Sequence, residues 1–139
     1  PQAKIIHCTR DPMDTGLSIW QTFFQQPLPW AYDQRETARY HRGYMKLMAH
    51  WEKLFPGAML ELKYEDMVAA QEEQTRRLLD FCGLPFDARC LKFHENARQV
   101  RTASVAQVRK PIYKDSSGKW KKYNQHLTAL AAGLNGETT

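Results

Sequence analysis

The spacing of apolar residues changes along the chain between the two-residue period of a strand and the longer period of a helix. Ile5 and Ile6 form an apolar run that is too short for a helix and typical of a buried strand. Asp11 and Pro12 predict a helix start soon after it, because Asp is a favourable N-cap and Pro fits the first helical position. One apolar face is predicted on this first helix by residues at helical spacing: Leu17, Trp20 and Phe24.

The middle of the chain predicts a second helix followed by a second strand. Asp33 predicts the start of a long helix that reaches about Phe55, and the pair Pro56-Gly57 ends it. One face of this helix is expected to lie in the core and carries five large apolar residues: Tyr40, Tyr44, Leu47, Trp51 and Leu54. Residues 59–64 alternate apolar and polar side chains, which predicts a second strand.

The remaining pattern predicts three more helices. Asp66 is expected to cap a helix that runs to Cys82, where Gly83 is the stop signal. A short helix is predicted to begin at Pro85-Phe86-Asp87 and to reach about Asn96, and a last helix is predicted by three leucines: Leu127, Leu130 and Leu134. The order strand, helix, strand, helix is typical of an α/β fold with a parallel sheet and flanking helices.

Composition indicates an anionic partner. The 139 residues carry a formal net charge of +5, which favours a nucleotide, a sulfated glycan, nucleic acid or a membrane surface. The chain has three cysteines without CxxC spacing, which predicts neither a disulfide framework nor a metal site. His94 lacks the further ligands that a metal would need, so it is expected at the surface. With no signal peptide and no membrane-spanning run, a cytoplasmic location is expected.

Length and the position of the first strand bear on domain organisation. Residues 1–139 are expected to form one domain or part of one. The chain is already in a strand by Lys4, and a solitary strand is not stable. Residues upstream of Pro1 are therefore expected to belong to the same domain.

The junction between the first strand and the first helix is a candidate anion site. Unpaired N–H groups and the helix dipole point at such a junction. Arg10 and Ser18 lie about two helical turns apart, so a guanidinium folded along the first turn could reach the same phosphate as the Ser18 hydroxyl. The alternative is that Arg10 pairs with Asp14 and Ser18 faces solvent. Tyr64, at the end of the second strand, could stack on a base or cover the core.

Residues 97–123 form a second candidate, rich in Lys and Arg against a single acid, Asp115. One interpretation is a flexible basic arm that binds nucleic acid or a membrane. The segment also holds apolar residues that a disordered arm does not need, such as Val105, Ile112 and Trp120. A loop pinned to the domain, which presents N–H groups and ammonium ions to a compact anion, fits better.

Three segments resemble the sulfotransferases that use 3'-phosphoadenosine 5'-phosphosulfate (PAPS), in particular tyrosylprotein sulfotransferases and a bacterial branch fused to tetratricopeptide repeats. CTRDPMDTGLS is similar to the family's 3'-phosphate motif, which implies that Arg10 and Ser18 hold the 3'-phosphate. KYEDM resembles the segment whose Tyr contacts adenine, which implies that role for Tyr64. Thr22 stands where some relatives carry a second phosphate arginine.

SVAQVRKPIY and the following SSGKW are similar to the third family segment at equal spacing. The resemblance implies that Ser104 lies near the transferring sulfuryl group as a catalytic residue and also contacts the cofactor. It implies that Lys119 holds the 3'-phosphate side of the nucleotide, with Gly118 and Trp120 completing the cofactor-binding loop.

The resemblance implies a P-loop NTPase-like sulfotransferase domain without its N-terminal strand–loop–helix. The phosphosulfate loop and the general base are expected before Pro1, so this chain alone is expected to be inactive. The implied reaction moves a sulfuryl group from PAPS to an acceptor hydroxyl or amine and leaves adenosine 3',5'-bisphosphate, with no metal and no nucleic acid. The alternative is a non-catalytic basic module that binds nucleic acid or acidic glycan; the acceptor and the oligomeric state stay open.

Overall fold

A computed structural model describes residues 3–24, 26–96, 109–112 and 116–137. Within the chain, contacts group the residues into two compact units. The first unit comprises Pro1–Thr9 and Leu60–Lys114, and the second comprises Arg10–Met59 and Asp115–Thr139.

The first unit contains a two-stranded parallel sheet of β1 (Ile5–Thr9) and β2 (Met59–Lys63). Both strands lie where the sequence pattern predicts them. In β2, Leu60 and Leu62 are buried while the side chains between and after them, Glu61 and Lys63, are exposed, which confirms the predicted period of two.

The expected burial of Ile5 and Ile6 is wrong. Their exposed fractions are 49% and 41%. The sheet has two strands in the described part of the chain, and a two-stranded sheet gives its side chains little lateral cover. The apolar run thus predicted the strand correctly but did not predict how far its side chains are buried.

The helical region after β2 differs from the single helix predicted from Asp66. The chain forms α3 (Tyr64–Ala69) and α4 (Gln71–Cys82), which are separated at Ala70 by a non-helical backbone with φ −139° and ψ 61°. Asp66 is therefore an interior residue of α3 and not an N-cap. Gly83 ends α4 as predicted, in the left-handed conformation with φ 70° that favours glycine.

A 3-10 helix, Ala88–Glu95, follows within the predicted range, and the Asp87 carboxylate caps it by accepting the Arg89 N–H at 2.8 Å. The hydrogen bonds from the Arg89 side chain and backbone lower the pKa of Asp87 to about 2. His94 was expected at the surface, but it is half-buried and its Nδ1 atom is buried.

The second unit is built from α1 (Pro12–Gln21), α2 (Gln34–Leu54) and α5 (Thr128–Leu134), with 3-10 helices at Pro29–Tyr32 and Lys119–His126. Asp11 and Asp33 cap α1 and α2 as predicted, each accepting a backbone N–H at 2.9 Å. The first helix ends at Gln21, before Phe24, so the predicted apolar face is shorter than expected and Trp20 is exposed.

The core of this unit lies where α1, α2 and α5 meet. It contains four buried side chains: Leu17, Ala38, Leu127 and Leu130. Met13, Trp120 and Leu134 pack against them. The Gln34 side chain fixes the start of α5, because it donates to the His126 carbonyl at 2.7 Å and accepts the Leu130 N–H at 3.1 Å. The last predicted helix and its leucines are thus confirmed.

The expected core face of α2 is wrong. Tyr44 is half-buried, and the other four residues of that face are exposed: Tyr40, Leu47, Trp51 and Leu54. The buried residues of α2 are instead the small ones, Thr37 and Ala38. Small residues allow α5 to approach the backbone of α2. Helix α2 therefore contacts α5 through the face that carries Thr37 and Ala38, and not through the face that carries its large apolar residues.

This close approach makes Gly133 a test of the packing. A Cβ atom at Gly133 would lie 2.7 Å from the Cβ of Ala38, which is too short for two carbon atoms. We expect Gly133→Ala to lower the free energy of unfolding by about 1–3 kcal/mol, the cost of overpacking. Urea denaturation measures the change.

Gly43→Ala in α2 is the matched control, since apart from the adjacent residues and the backbone of the same helix no described atom lies within 4 Å of the position that its added methyl group would occupy. We expect this change to raise the free energy of unfolding by about 0.5–1 kcal/mol, because alanine loses less backbone entropy than glycine in a helix. Equal effects of the two substitutions would contradict the packing described for Gly133.

Candidate functional site

The candidate site is built on one stripe of α1. Asp14, Ser18 and Gln21 are spaced by four and three residues, which places them within an arc of about 60° on a regular helix. Leu17, three residues after Asp14, borders the same arc and is buried. Asp14 is buried, while Ser18 and Gln21 are exposed.

The turn formed by residues 116–120 runs along this stripe. Arg10, just before the helix cap, donates from Nη2 to the Ser116 carbonyl at 2.5 Å. The Asp14 carboxylate accepts two backbone N–H groups, from Gly118 at 2.5 Å and from Trp120 at 2.9 Å. At the far end of α1, the Lys119 ammonium donates to Gln21 Oε1 at 3.2 Å.

These contacts place the turn that carries Lys119 against Asp14 and Gln21, on the helix stripe that also bears Ser18. Gln21, which the Lys119 ammonium contacts, follows Ser18 by three residues and is therefore its neighbour on the helix surface. The Arg10 guanidinium contacts Ser116, in the same turn whose Gly118 N–H binds Asp14. A guanidinium, a hydroxyl and an ammonium on one face can bind a phosphate through charge-assisted hydrogen bonds.

Asp14 is the residue that the sequence reasoning missed. A pairing with Arg10 was considered for it, yet its exposed fraction is 1% and its two oxygens accept N–H groups of a turn more than a hundred residues away. The signal in the sequence was its spacing of three from Leu17, which puts an acid beside an apolar core position. An acid at such a place needs hydrogen-bond partners.

Gly118 and Trp120 shape the turn through their backbones. Gly118 has φ 73°, in the region that favours glycine, and its carbonyl accepts the Lys121 N–H at 3.2 Å. The basic segment was expected to present N–H groups to an anion, but those of Gly118 and Trp120 point at Asp14 instead. The Lys119 side chain, between them, is exposed.

Two other predicted site residues are not among the described residues of the second unit. Tyr64 belongs to the first unit, where it directly follows β2 as the first residue of α3 and is half-buried. Ser104 lies outside the described residues, as does most of the basic segment. Their roles therefore stay predictions.

Metal-binding and membrane-spanning features are both lacking in the described ranges. These ranges contain no group of three or more His, Cys, Asp and Glu side chains arranged to hold a metal ion. None of the helices described there combines the length and the apolar character that crossing a membrane requires.

Comparison with known proteins identifies proteins that are similar to this chain. Residues 1–88 match the model of a family described as "Sulfotransferase family". The chain is 40% identical over 133 residues to an uncharacterised protein of Aquifex aeolicus (strain VF5), a match that covers 94% of this chain and 18% of that protein. It is 34% identical over 92 residues to the omega-hydroxy-beta-dihydromenaquinone-9 sulfotransferases of Mycobacterium bovis and Mycobacterium tuberculosis, covering 60% of this chain and 24% of each. The chain thus spans about a fifth to a quarter of the length of these curated relatives. No solved structure is significantly similar to it.

Proposed function

The chain belongs to the sulfotransferase family, and we propose that it forms the donor-nucleotide part of an enzyme that transfers a sulfuryl group from PAPS to an acceptor. The products are the sulfated acceptor and adenosine 3',5'-bisphosphate. The observation that carries this proposal is the turn of residues 116–120, which is hydrogen-bonded along the α1 stripe that also bears Ser18.

We assign the 3'-phosphate to Arg10, Ser18 and Lys119. The planar guanidinium supplies two parallel N–H donors, the ammonium supplies a compact charge, and the hydroxyl supplies a neutral donor. Tyr64 is assigned to the adenine face, and Gly118 and Trp120 to the loop that carries Lys119. These residues bind the part of the nucleotide that does not react, so their binding energy serves to orient the phosphosulfate group.

Ser104 is the proposed catalytic residue, as a hydrogen-bond donor to the transferring sulfuryl group. In the transfer, the bond between sulfur and the bridging oxygen of PAPS breaks while a bond from the acceptor oxygen or nitrogen forms. The acceptor gives up its proton, and the bisphosphate leaves as an anion. The names of the mycobacterial relatives specify a hydroxylated compound, which supports a hydroxyl as the acceptor group.

Thermal unfolding with two ligands tests this function. We expect adenosine 3',5'-bisphosphate to raise the Tm of the full-length protein far more than AMP, which lacks the 3'-phosphate. A ligand that binds only the folded state at a hundred times its Kd stabilises it by about 2.7 kcal/mol. Equal shifts with both nucleotides would contradict the proposal.

The salt dependence of binding distinguishes the proposed function from its alternative, a basic module that binds nucleic acid or acidic glycan. A basic module for nucleic acid or acidic glycan makes many phosphate or sulfate contacts, so its affinity falls steeply with salt concentration. Such a module would bind an oligonucleotide tightly without preferring adenosine 3',5'-bisphosphate over AMP. That pair of results would replace the sulfotransferase proposal.

A further inference from the structure

The carboxylate of Asp14 is one of three polar or charged side chains that are buried in the described part of the chain. Its exposed fraction is 1%, and burial of a charge is unfavourable unless hydrogen bonds compensate it. Both oxygens receive such bonds, Oδ2 from the Gly118 N–H and Oδ1 from the Trp120 N–H. The backbone N–H of Asp14 is used as well, since it donates to the Asp11 cap at 2.9 Å.

These bonds join parts of the chain that are far apart in sequence. Gly118 is 104 residues and Trp120 is 106 residues from Asp14. Hydrogen bonds to a charged group are about twice as strong as neutral ones, so the carboxylate, which accepts two of them, is a strong polar anchor for this turn. The contact between Lys119 and Gln21 is exposed and joins two flexible side chains, so it adds little order.

Lys119 lies between the two residues whose N–H groups Asp14 holds. The anchor therefore fixes the backbone on both sides of Lys119, while the exposed ammonium keeps the freedom of its four-carbon stem. Gly118 increases the importance of the anchor, because a glycine with φ 73° has many other conformations available. Without the carboxylate, the turn keeps the bond from Arg10 to the Ser116 carbonyl, but residues 117–120 lose their described hydrogen bonds to the first turn of α1.

We propose that Asp14 is a positioning residue for the donor nucleotide, acting through the Gly118 and Trp120 N–H groups to keep Lys119 on the Ser18 side of α1. This inference rests on the proposed function, in which Lys119 binds the 3'-phosphate. When a binding-competent arrangement is only partly populated, the apparent Kd rises by the inverse of that population. Asp14 thus sets nucleotide affinity without contacting the nucleotide.

Asp14→Asn is the main test, because asparagine keeps the size of the side chain but turns an N–H donor towards one of the two backbone N–H groups. We expect calorimetry on the full-length protein to show about a tenfold rise in the Kd of adenosine 3',5'-bisphosphate. This is the rise that follows if the turn adopts its binding-competent conformation in about a tenth of the molecules. We also expect Lys119→Ala to weaken binding much less in the Asp14→Asn background than in the wild type, since both changes remove one contribution.

Asp33→Ala is the matched control for a purely structural effect. Asp33 is an exposed helix cap of the same unit, which accepts the Glu36 N–H at 2.9 Å. Its loss is expected to lower the Tm but to leave both the Kd and the effect of Lys119→Ala unchanged. If Asp14→Asn fails to fold, Asp14→Ser removes the carboxylate without adding an N–H group next to the turn, and the same two results are expected.

Amide hydrogen exchange without nucleotide separates this inference from the proposed function. Loss of the anchor is expected to speed exchange at Gly118 and Trp120 whether or not the protein binds a nucleotide. Faster exchange with a Kd within twofold of wild type, in a wild-type protein that does bind adenosine 3',5'-bisphosphate, would overturn the positioning role alone. A wild-type protein that does not prefer this nucleotide over AMP would instead overturn the proposed function, and exchange that stays unchanged in the variant would overturn the anchor.

Discussion

Replacement of Leu130 by alanine is expected to lower the free energy of unfolding by about 2–5 kcal/mol, the range for removing a fully buried leucine. The exposed fraction of Leu130 is 1%, and its side chain belongs to the cluster where α1, α2 and α5 meet. The fit on α1 is close, because a Cβ atom at Gly16 would lie 2.5 Å from Leu130 Cδ2. Helix backbones held this tightly cannot collapse fully into the space that the substitution leaves, so a cavity remains.

Leu47→Ala provides the control for this prediction, since Leu47 is a helical leucine with an exposed fraction of 51%. Urea denaturation of both variants is expected to give a large loss for Leu130→Ala and a change within about 0.5 kcal/mol for the exposed site. Similar losses at the two positions would contradict the assignment of the core to the meeting point of these three helices.

The start and stop signals of the elements could be predicted because they depend on neighbouring residues. Asp11, Asp33 and Gly83 each act within one helical turn, so their roles follow from local hydrogen bonds and backbone conformation. The exception is the break at Ala70, where no Pro or Gly marks the end of α3. Propensity is weak enough for tertiary contacts to decide such a position.

Burial could not be predicted in the same way, because it depends on which elements meet. The large apolar residues of α2 were expected to mark its core face, whereas Thr37 and Ala38 are the buried ones. Close contact between α2 and α5 needs small residues on both helices, and Gly133 supplies the other. A hydrophobic pattern indicates which residues can be buried. Which of them are buried depends on where the helix backbones come close together.

The candidate site divides along the same line. Arg10, Ser18 and Lys119 were predicted by residue type, motif spacing and family resemblance, and their role in binding a phosphate stays a prediction. Asp14 was missed because its two bonds cross more than a hundred residues of sequence. Sequence spacing shows which groups lie on one helix face, but not which distant turn packs against that face.

Arg10→Ala is expected to weaken the binding of adenosine 3',5'-bisphosphate by about 1.5–3 kcal/mol, the scale of a hydrogen bond to a charged group. The guanidinium already donates to the Ser116 carbonyl at 2.5 Å, so its reach is restrained beside the turn that carries Lys119. Isothermal titration calorimetry on the full-length protein measures the change. Arg39→Ala is the control, because the Arg39 side chain is 74% exposed and paired with Glu36 at 2.6 Å on α2.

The response to AMP distinguishes a phosphate contact from general disruption by Arg10→Ala. AMP lacks the 3'-phosphate, so loss of a guanidinium that binds this group should leave the weak affinity for AMP nearly unchanged. Damage to the turn would instead weaken both nucleotides by a similar factor, because the adenosine and the 5'-phosphate would lose their support as well. Unchanged affinity for adenosine 3',5'-bisphosphate would remove Arg10 from the site. An intermediate loss in Arg10→Lys is expected, since an ammonium keeps the charge but not the planar pair of donors.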